Sequence, residues 1–205
     1  MSNVNSALHA NDLIYSVVTD KSGNVYAAGA FTNADGKCYV AKWNGSVWSE
    51  VGSGANVLNA NNAIFAITVD SSGNVYAGGY FTNSSNKQYV AKWNGNFWAE
   101  AGTGTLNPSG LIACLAADNN GNIYAGGDFR NSSNQYYLAK WNGSTWTEMG
   151  VGNSALKAND RIQTIAIKNT NEIYAAGYFS TGPNSYYLAK WNGTSWSEVN
   201  NTQST

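Results

Sequence analysis

The chain has 205 residues, of which 11% are charged, and a formal net charge of -1. This balance provides no basic field for a phosphate backbone, so nucleic acid is excluded as an expected partner. No apolar run approaches the length of about 20 residues that a membrane span needs, and residues 1–11 lack the features of a signal peptide. The scarcity of charge, together with abundant Asn, Gly, Ser and Thr, favours an extracellular or surface-displayed β protein.

Four near-copies of one segment fill the chain, each with the string Ala-Lys-Trp-Asn-Gly-x-x-Trp followed two residues later by Glu. The first tryptophans recur after 50, 48 and 50 residues, which is typical of a propeller or solenoid array. We therefore predict one array over 1–205, with blades at about 12–52, 62–102, 110–150 and 160–200. The pairs account for all eight tryptophans, and we predict that they pack the blades: Trp43/Trp48, Trp93/Trp98, Trp141/Trp146 and Trp191/Trp196.

The first predicted strand of each blade is a nearly continuous run of apolar or small residues. Such a run is typical of a strand that is covered on both faces. One face of this strand carries large side chains such as Val17, and the other carries small ones such as Ser16. We therefore place these strands innermost, around the axis. The four runs are Ile14 to Asp20, Ile64 to Asp70, Ile112 to Asp118 and Ile162 to Lys168.

A turn rich in Asp, Asn and Gly follows each first strand, as in Asp20-Lys21-Ser22-Gly23-Asn24. The Asp side chain can cap the turn while Gly adopts a positive φ. A calcium loop is the alternative interpretation. The spacing is not that of an EF-hand, and the fourth copy, Lys168 to Glu172, lacks both Asp and Gly. The pattern favours a hairpin turn, and we expect no metal.

The second predicted strand, Val25 to Phe31 in the first blade, contains a glycine that recurs at one position in every copy. A glycine inside a strand indicates a bulge or a close approach by a neighbouring backbone. A phosphate-binding loop is excluded because no helix follows it. The recurring glycines are Gly29, Gly79, Gly127 and Gly177.

The third and fourth strands form a hairpin around Asn44-Gly45, a dipeptide typical of tight β-turns. With a loop of two or of four residues, Trp43 and Trp48 share one face and are cross-strand neighbours. No segment has helical periodicity. The predicted fold is an all-β propeller built of four complete four-stranded antiparallel blades.

The string Gly-Asn-Val-Tyr-Ala-Gly-Gly-Tyr-Phe-Thr at 73–82, with Tyr-Val-Ala-Lys-Trp-Asn-Gly at 89–95 and a second Trp, resembles the repeat of bacterial surface and secreted β-propeller proteins. It is more loosely similar to kelch-like and Rax2-type repeats. The resemblance implies a propeller with extracellular binding or adhesion, and it supplies no catalytic residues. The chain lacks the usual sugar-binding strings of lectin-type propellers.

The ring can close in two ways. The opening segment Asn5 to Asp12 matches the connector Asn153 to Asp160, so each blade is covalently whole and no strand exchange locks the ring. One chain could close on itself with four blades, or two chains could form a ring of eight. We expect the two-chain ring, a homodimer.

Nothing in the sequence assembles a catalytic site. His9 is the only histidine and lies in a predicted connector. Glu50 and its three counterparts could in principle act as paired carboxylates in glycoside hydrolysis. They recur in every blade, however, whereas an active site is normally singular. We therefore expect a noncatalytic binding or structural module, without a cofactor, that presents loops to a protein or a glycan.

A carbohydrate-binding lectin with repeated sites is one alternative, and an assembly component of a cell-surface layer or virion is another. For a lectin, aromatic rings would stack on sugars while polar side chains bond their hydroxyls. Asp128 and Arg130 occur in one blade only and lie two residues apart, so they could form an ion pair. Cys38 and Cys114 leave the disulfide state open. The candidate ligand-binding residues are Tyr80, Asn83, Asp128, Arg130, Asn131 and Tyr178.

Overall fold

The computed structural model describes residues 7–102, 106, 108, 110–181 and 185–199. Over these residues the chain is all-β, with sixteen strands and two short 3-10 segments, Gly54–Asn56 and Gly152–Ser154. The strands form four antiparallel sheets, each with four strands hydrogen-bonded in chain order. This confirms the predicted fold class of complete, four-stranded blades.

The strand bounds follow the predicted pattern closely. Blade 1 contains β1 (Ile14–Thr19), β2 (Val25–Thr32), β3 (Cys38–Trp43) and β4 (Trp48–Glu50). Blade 2 contains β5 (Ile64–Val69), β6 (Val75–Gly79), β7 (Ala91–Trp93) and β8 (Trp98–Glu100). Blade 3 contains β9 (Ile112–Ala117), β10 (Ile123–Gly127), β11 (Ala139–Trp141) and β12 (Trp146–Glu148). Blade 4 contains β13 (Ile162–Asn169), β14 (Glu172–Gly177), β15 (Ala189–Trp191) and β16 (Trp196–Glu198).

The outer hairpin of each blade has a four-residue loop. In blade 1 the N–H of Asn44 donates to the carbonyl of Val47 over 3.3 Å, and Gly45 has a φ of 95°. Asn44 Oδ1 accepts from the backbone N–H groups of Ser46 and Val47, which closes the loop from the inside. Trp43 therefore pairs with Trp48, and their ring centroids lie 5.8 Å apart. The predicted cross-strand indole pairs are confirmed.

A bulge at the start of the first strand explains the recurring glycines. The register of β1 on β2 shifts between Ile14 and Ser16, opposite Gly29. The N–H of Ala30 then donates to the carbonyl of Leu13 over 2.9 Å. A Cβ at Gly29 would overlap that carbonyl oxygen, so only glycine allows the two backbones to approach this closely.

The hydrophobic core lies between consecutive blades. Three clusters each join one face of a blade to the opposite face of the next. A phenylalanine at the end of each second strand, or just after it, is fully buried, as are Phe81 and Phe129. The outer strand contributes an indole donor, since Trp98 Nε1 donates to the carbonyl of Val51 in the preceding blade over 2.9 Å. The tryptophans thus connect neighbouring blades as well as the two strands of their own hairpin.

The blades pack in chain order, with β1 on β5, β5 on β9 and β9 on β13. The central strands of the array, such as β5 and β9, are largely buried as predicted. Within a single chain the prediction does not hold for β1, where Ile14, Tyr15 and Val17 are exposed. Strand β13 also presents mostly exposed residues. The reason is that these blades end the array: no described part of the chain covers the face of blade 1 that points away from blade 2, or the face of blade 4 that points away from blade 3.

Candidate functional site

The antiparallel order of the strands gives the array two different ends. The connectors between blades and the loops between second and third strands lie at one end, which we call the loop end. The Asp-containing turns and the Asn-Gly turns lie at the opposite end, which we call the turn end. Every candidate ligand-binding residue from the sequence lies at the loop end.

The Asp residues of the turn end serve the turns. In blade 1, Asp20 Oδ1 accepts from the N–H groups of Ser22 and Asn24, while Oδ2 accepts from Asn24 Nδ2 and the Tyr26 hydroxyl. Burial raises the pKa of Asp20, but the hydrogen bonds from Asn24, Ser22 and Tyr26 outweigh it and hold the pKa below its usual value. The same bonds recur at Asp70 and Asp118. These carboxylates are therefore used by the fold.

Blade 4 replaces this network with an ion-paired one. Glu172 accepts from the Tyr174 hydroxyl over 2.7 Å and pairs with Lys168 and Lys190, each at 3.0 Å. The hydrogen bonds from Tyr174, Lys168 and Lys190 lower the pKa of Glu172 to about 2. The tyrosine hydroxyl thus keeps a carboxylate partner, although Asp is missing from this copy.

The recurring glutamates stabilise the loops at the loop end. Asn83 Nδ2 donates to Glu100 Oε2 over 3.1 Å, while Asn83 Oδ1 accepts from the N–H groups of Ser85 and Lys87. Asn131 makes the corresponding bonds in blade 3, with Glu148 at 2.8 Å. Two of the six predicted ligand-binding residues, Asn83 and Asn131, thus have side chains that already bond to their own loops and to the end of the fourth strand.

The side chain of Arg130 lies over the Tyr136 ring, with its guanidinium carbon 4.4 Å from the ring centroid. Its Nη2 donates to the Tyr136 hydroxyl over 2.6 Å, and its Nη1 donates to Asn134 Oδ1 over 3.0 Å. The expected ion pair with Asp128 is not formed among the described residues. Strand β10 ends at Gly127, and Arg130 instead pairs with Tyr136 across the loop, so the two charges do not share one regular strand face.

Tyr178 is exposed at the loop end of blade 4. The guanidinium carbon of Arg161 lies 4.9 Å from the centroid of its ring. Arg161 Nε is buried and has no hydrogen-bond partner among the described groups. Asp128, in the position that corresponds to Tyr178, is exposed in blade 3. The loop end therefore differs chemically from blade to blade, although the backbone repeats.

Three aromatic rings form a cluster at the loop end of blades 1 and 2, which we call the aromatic platform. The rings of Tyr15 and Phe65 are stacked, with centroids 4.5 Å apart and an interplanar angle of 10°. The ring of Tyr80 meets Phe65 edge-on at 5.3 Å. Tyr15 is 42% exposed and Tyr80 is 40% exposed. The platform is thus an ordered aromatic surface that faces solvent.

The platform borders a groove of about 400 Å³ that runs along the inner strands of all four blades. Tyr15 and Phe65 line one side of this central groove, and Gln163 and Thr164 of blade 4 line the other. Cys114 also lines it; its thiol is free, and burial raises the pKa of this group to about 12. An aromatic wall and a polar wall therefore flank one concave surface.

Sequence reasoning identified Tyr80 in this site but missed Tyr15 and Phe65. Both lie on first strands, which the apolar pattern predicted to be covered. A signal was present, because the corresponding positions of blades 3 and 4 are Ala113 and Gln163. A position at which the residue type changes from blade to blade is one where packing between blades does not determine the side chain. Over the described residues, no group of three or more His, Cys, Asp or Glu side chains could hold a metal ion.

A comparison with protein-family models finds no match, and a comparison with the sequences of curated proteins finds none. Solved structures do match. PorZ, a surface component of the type-IX secretion system of Porphyromonas gingivalis, aligns with a TM-score of 0.61 and 16% identity, over 98% of this chain and 28% of PorZ. YCF48 from Cyanidioschyzon merolae aligns with a TM-score of 0.53 and 15% identity, over 95% of this chain and 59% of YCF48.

The array has the fold of β-propeller proteins. A fucose lectin from Kordia zhangzhouensis is 22% identical over 66% of this chain and 96% of the lectin, with a TM-score of 0.44. At these identities the likeness concerns the fold alone. This chain spans little more than half of YCF48 and about a quarter of PorZ. Among the described residues, no helix is both long enough and apolar enough to span a bilayer.

Proposed function

We propose that this chain is a noncatalytic β-propeller binding module that holds a glycan at the aromatic platform. The observation that carries the proposal is the platform itself, in which two exposed rings, Tyr15 and Tyr80, contact the half-buried ring of Phe65, in a fold whose other recurring aromatics are largely buried. Binding sites for small ligands combine apolar or aromatic walls with a few polar groups that fix orientation. The platform and the polar side of the central groove provide this combination.

A sugar ring suits the geometry better than a flat apolar ligand would. The apolar face of a pyranose can lie on the exposed ring of Tyr15 or Tyr80, and its hydroxyls then remain available to polar side chains. Gln163 and Thr164 stand across the groove as donors and acceptors. Net charge near zero gives no attraction for a polyanion. A neutral or weakly charged oligosaccharide is therefore the expected class of ligand.

The noncatalytic part of the proposal is supported by how the polar groups are used. The recurring Asp and Glu side chains bond within turns and loops, as Asp70 and Glu100 do. Both carboxylates thus already have hydrogen-bond partners that the fold supplies. We also propose an extracellular or surface location, which is supported by the low content of charged residues and by the blade resemblance.

The test is a glycan array followed by calorimetric titration of the bound oligosaccharide. Tyr80→Ala and Tyr15→Ala are each expected to weaken binding at least tenfold, since each removes a ring of the platform. The control is Phe97→Ala, because Phe97 is an exposed aromatic in the Asn-Gly turn at the opposite end. Binding should be unchanged in this variant.

Two results would overturn the proposal. One is the absence of any glycan bound at millimolar concentration, and the other is binding that Phe97→Ala weakens as much as Tyr80→Ala does. Incubation of the bound glycan with the protein, followed by mass spectrometry, tests the noncatalytic assignment. Recovery of the intact glycan is expected, and a cleaved or modified product would contradict it.

A further inference from the structure

We propose that a second copy of this chain covers the two uncovered blade faces, head to tail, and completes an eight-bladed ring. This inference goes beyond the proposed function and rests on different residues. The chain already contains three interfaces between consecutive blades. Each uncovered face repeats the residues that form one side of those interfaces.

Each internal interface joins a forward face to a backward face. The forward face of a blade carries one apolar residue in or just before the third strand and another just after the fourth strand, as Val40 and Val51 do in blade 1. The backward face of the next blade carries an apolar residue of the first strand and the tryptophan of the fourth strand, as Ile67 and Trp98 do in blade 2. Both surfaces are buried where they meet.

The indole hydrogen bond repeats at all three interfaces. The tryptophan at the start of the fourth strand donates from Nε1 to the carbonyl that directly follows the fourth strand of the preceding blade. These bonds join Trp98 to Val51 over 2.9 Å, Trp146 to Ala101 over 2.7 Å and Trp196 to Met149 over 2.9 Å. Because this bond recurs at every internal interface, an interface between two copies of the chain is expected to contain it as well.

A backbone bridge forms a second repeated contact. Cys38 pairs with Ala60 of the connector that follows its blade, and Tyr136 pairs with Ala158 in the same way. In each connector the residue before the alanine has a left-handed backbone, with φ of 50° at Asn59 and 54° at Lys157. Each of these two connectors is thus held by the blade that precedes it.

The forward face of blade 4 repeats this surface without a cover. Leu188 is 41% exposed, whereas its counterparts Val40, Val90 and Leu138 are 1%, 1% and 0% exposed. Val199, which follows the last strand, is 43% exposed, while Met149 at the same place is 7% exposed. Tyr186, the counterpart of Tyr136, is also exposed.

The backward face of blade 1 is uncovered in the complementary way. Val17 is 61% exposed, whereas Ile67 at the same position of blade 2 is 5% exposed. Trp48 Nε1 makes no hydrogen bond with any described group, although its three counterparts do. The connector before blade 1 already has the competent conformation, since His9 has a φ of 41° and precedes Ala10.

The internal interfaces therefore specify the contacts of the ring. Trp48 Nε1 donates to the carbonyl of Val199 in the second copy, and Tyr186 pairs with Ala10 of the second copy. The contact is heterologous, because it joins two different faces. Two copies related by a two-fold axis make it twice, so that all four free faces are covered. Within one chain, no described residue covers the forward face of blade 4 or the backward face of blade 1, so both faces are left for a second copy.

The primary test is the mass of the full chain in solution, measured by sedimentation across a range of concentrations. A mass of two chains is expected. A mass of one chain at all concentrations up to the millimolar range would overturn the proposal. A mass of three or more chains would also overturn it, because the ring would then not close with eight blades.

Surface variants test the head-to-tail arrangement. Val17→Arg and Leu188→Arg each place a charge on one free face, and each alone is expected to shift the mass to one chain. An equimolar mixture keeps one unmodified interface between the two variants, so it is expected to recover part of the two-chain species. If only one of the two variants dissociated the dimer, the contact would join two copies of the same face, which would contradict the head-to-tail arrangement. Val151→Arg is the matched control, because Val151 is an exposed valine of a connector.

The indole bond gives a finer test. Trp48→Phe removes one donor from each of two interfaces, and the dimer dissociation constant is expected to rise by at least about fivefold. Trp98→Phe removes the same bond inside the chain, so it should lower thermal stability and leave the dissociation constant unchanged. An equal effect of both variants on the dissociation constant would contradict the proposed contact. Solution mass and glycan affinity are separate readouts, so failure of the ring and failure of the proposed glycan site are distinguishable.

Discussion

The hydroxyl of Tyr124 lies 3.0 Å from Oδ2 of Asp118 and donates a hydrogen bond to it inside blade 3. The same carboxylate accepts from the N–H groups of Asn120 and Asn122 and from Asn122 Nδ2. Asp118 is 5% exposed, so water does not replace a lost partner easily. This carboxylate thus connects the turn to the strand that follows it.

Replacement of this carboxylate should destabilise the blade. Asp118→Ala leaves two backbone N–H groups and a buried hydroxyl without their acceptor, and we expect the free energy of unfolding to fall by about 3 kcal/mol. Urea denaturation measures this change. Asp128→Ala is the control, since Asp128 is exposed, and it should change stability by less than about 0.5 kcal/mol. Equal losses in both variants would contradict the structural role of Asp118.

Stability should fall at alkaline pH. Burial, followed by the charge and hydrogen bond of Asp20, raises the pKa of Tyr26 to about 12. Burial and the corresponding carboxylates, Asp70 and Asp118, raise the pKa of Tyr76 and Tyr124. A group whose pKa is raised on folding stabilises the protein fully below its unfolded pKa of about 10, and this stability is lost as the pH rises through the folded value. The expected window for Tyr26 is therefore pH 10 to 12.

Urea denaturation at several pH values between 8 and 12 measures this loss. Each such tyrosine adds at most about 1.4 kcal/mol per pH unit to the downward slope. Tyr26→Phe removes one of these groups and should make the slope shallower, although it lowers stability at pH 8. A slope that Tyr26→Phe leaves unchanged would be inconsistent with the buried Tyr26–Asp20 contact.

Two glycines of blade 2 should respond differently to the same substitution. Gly79→Ala places a Cβ on the carbonyl oxygen of Ala63 at the bulge, where only backbone movement can relieve the overlap. We expect a loss of at least about 3 kcal/mol. Gly73 has a φ of 83° and open space around its Cα, so Gly73→Ala should cost only about 1 kcal/mol of left-handed strain. Thermal unfolding compares the two, and the reverse order would contradict the bulge geometry.

The side chain of Asn131 should stabilise its loop in the absence of any ligand. Asn131→Ala removes two acceptor contacts to the N–H groups of Ser133 and Gln135 and the bond to Glu148, so we expect a loss of about 2 kcal/mol. Ser132→Ala, at an exposed position of the same loop, is the control and should be nearly neutral. Hydrogen exchange of the Gln135 amide provides a local readout, and it should accelerate only in Asn131→Ala. Unchanged protection of that amide would argue against the loop contact.

The blade itself could be predicted from the sequence because its determinants are local. The Asn-Gly loop needs only the four residues Asn44 to Val47 to bring Trp43 opposite Trp48. Strand alternation then places both indoles on one face. The recurring Gly29 similarly indicated a bulge, since no other residue fits the close approach to Leu13. The candidate site was only partly predictable: Tyr80 was identified, whereas Tyr15 and Phe65 were not.

Only the tertiary structure decided which faces of the blades are buried. Val17 and Ile67 occupy the same position in two near-identical blades, yet one is exposed and the other is buried. Local sequence cannot distinguish them, because both strands are equally apolar and equally suited to a covered sheet. What differs is the neighbour: blade 1 covers Ile67, and no described blade covers Val17. The sequence by itself determined how each sheet folds, and the order of packing decided which apolar surfaces and which aromatic rings face solvent.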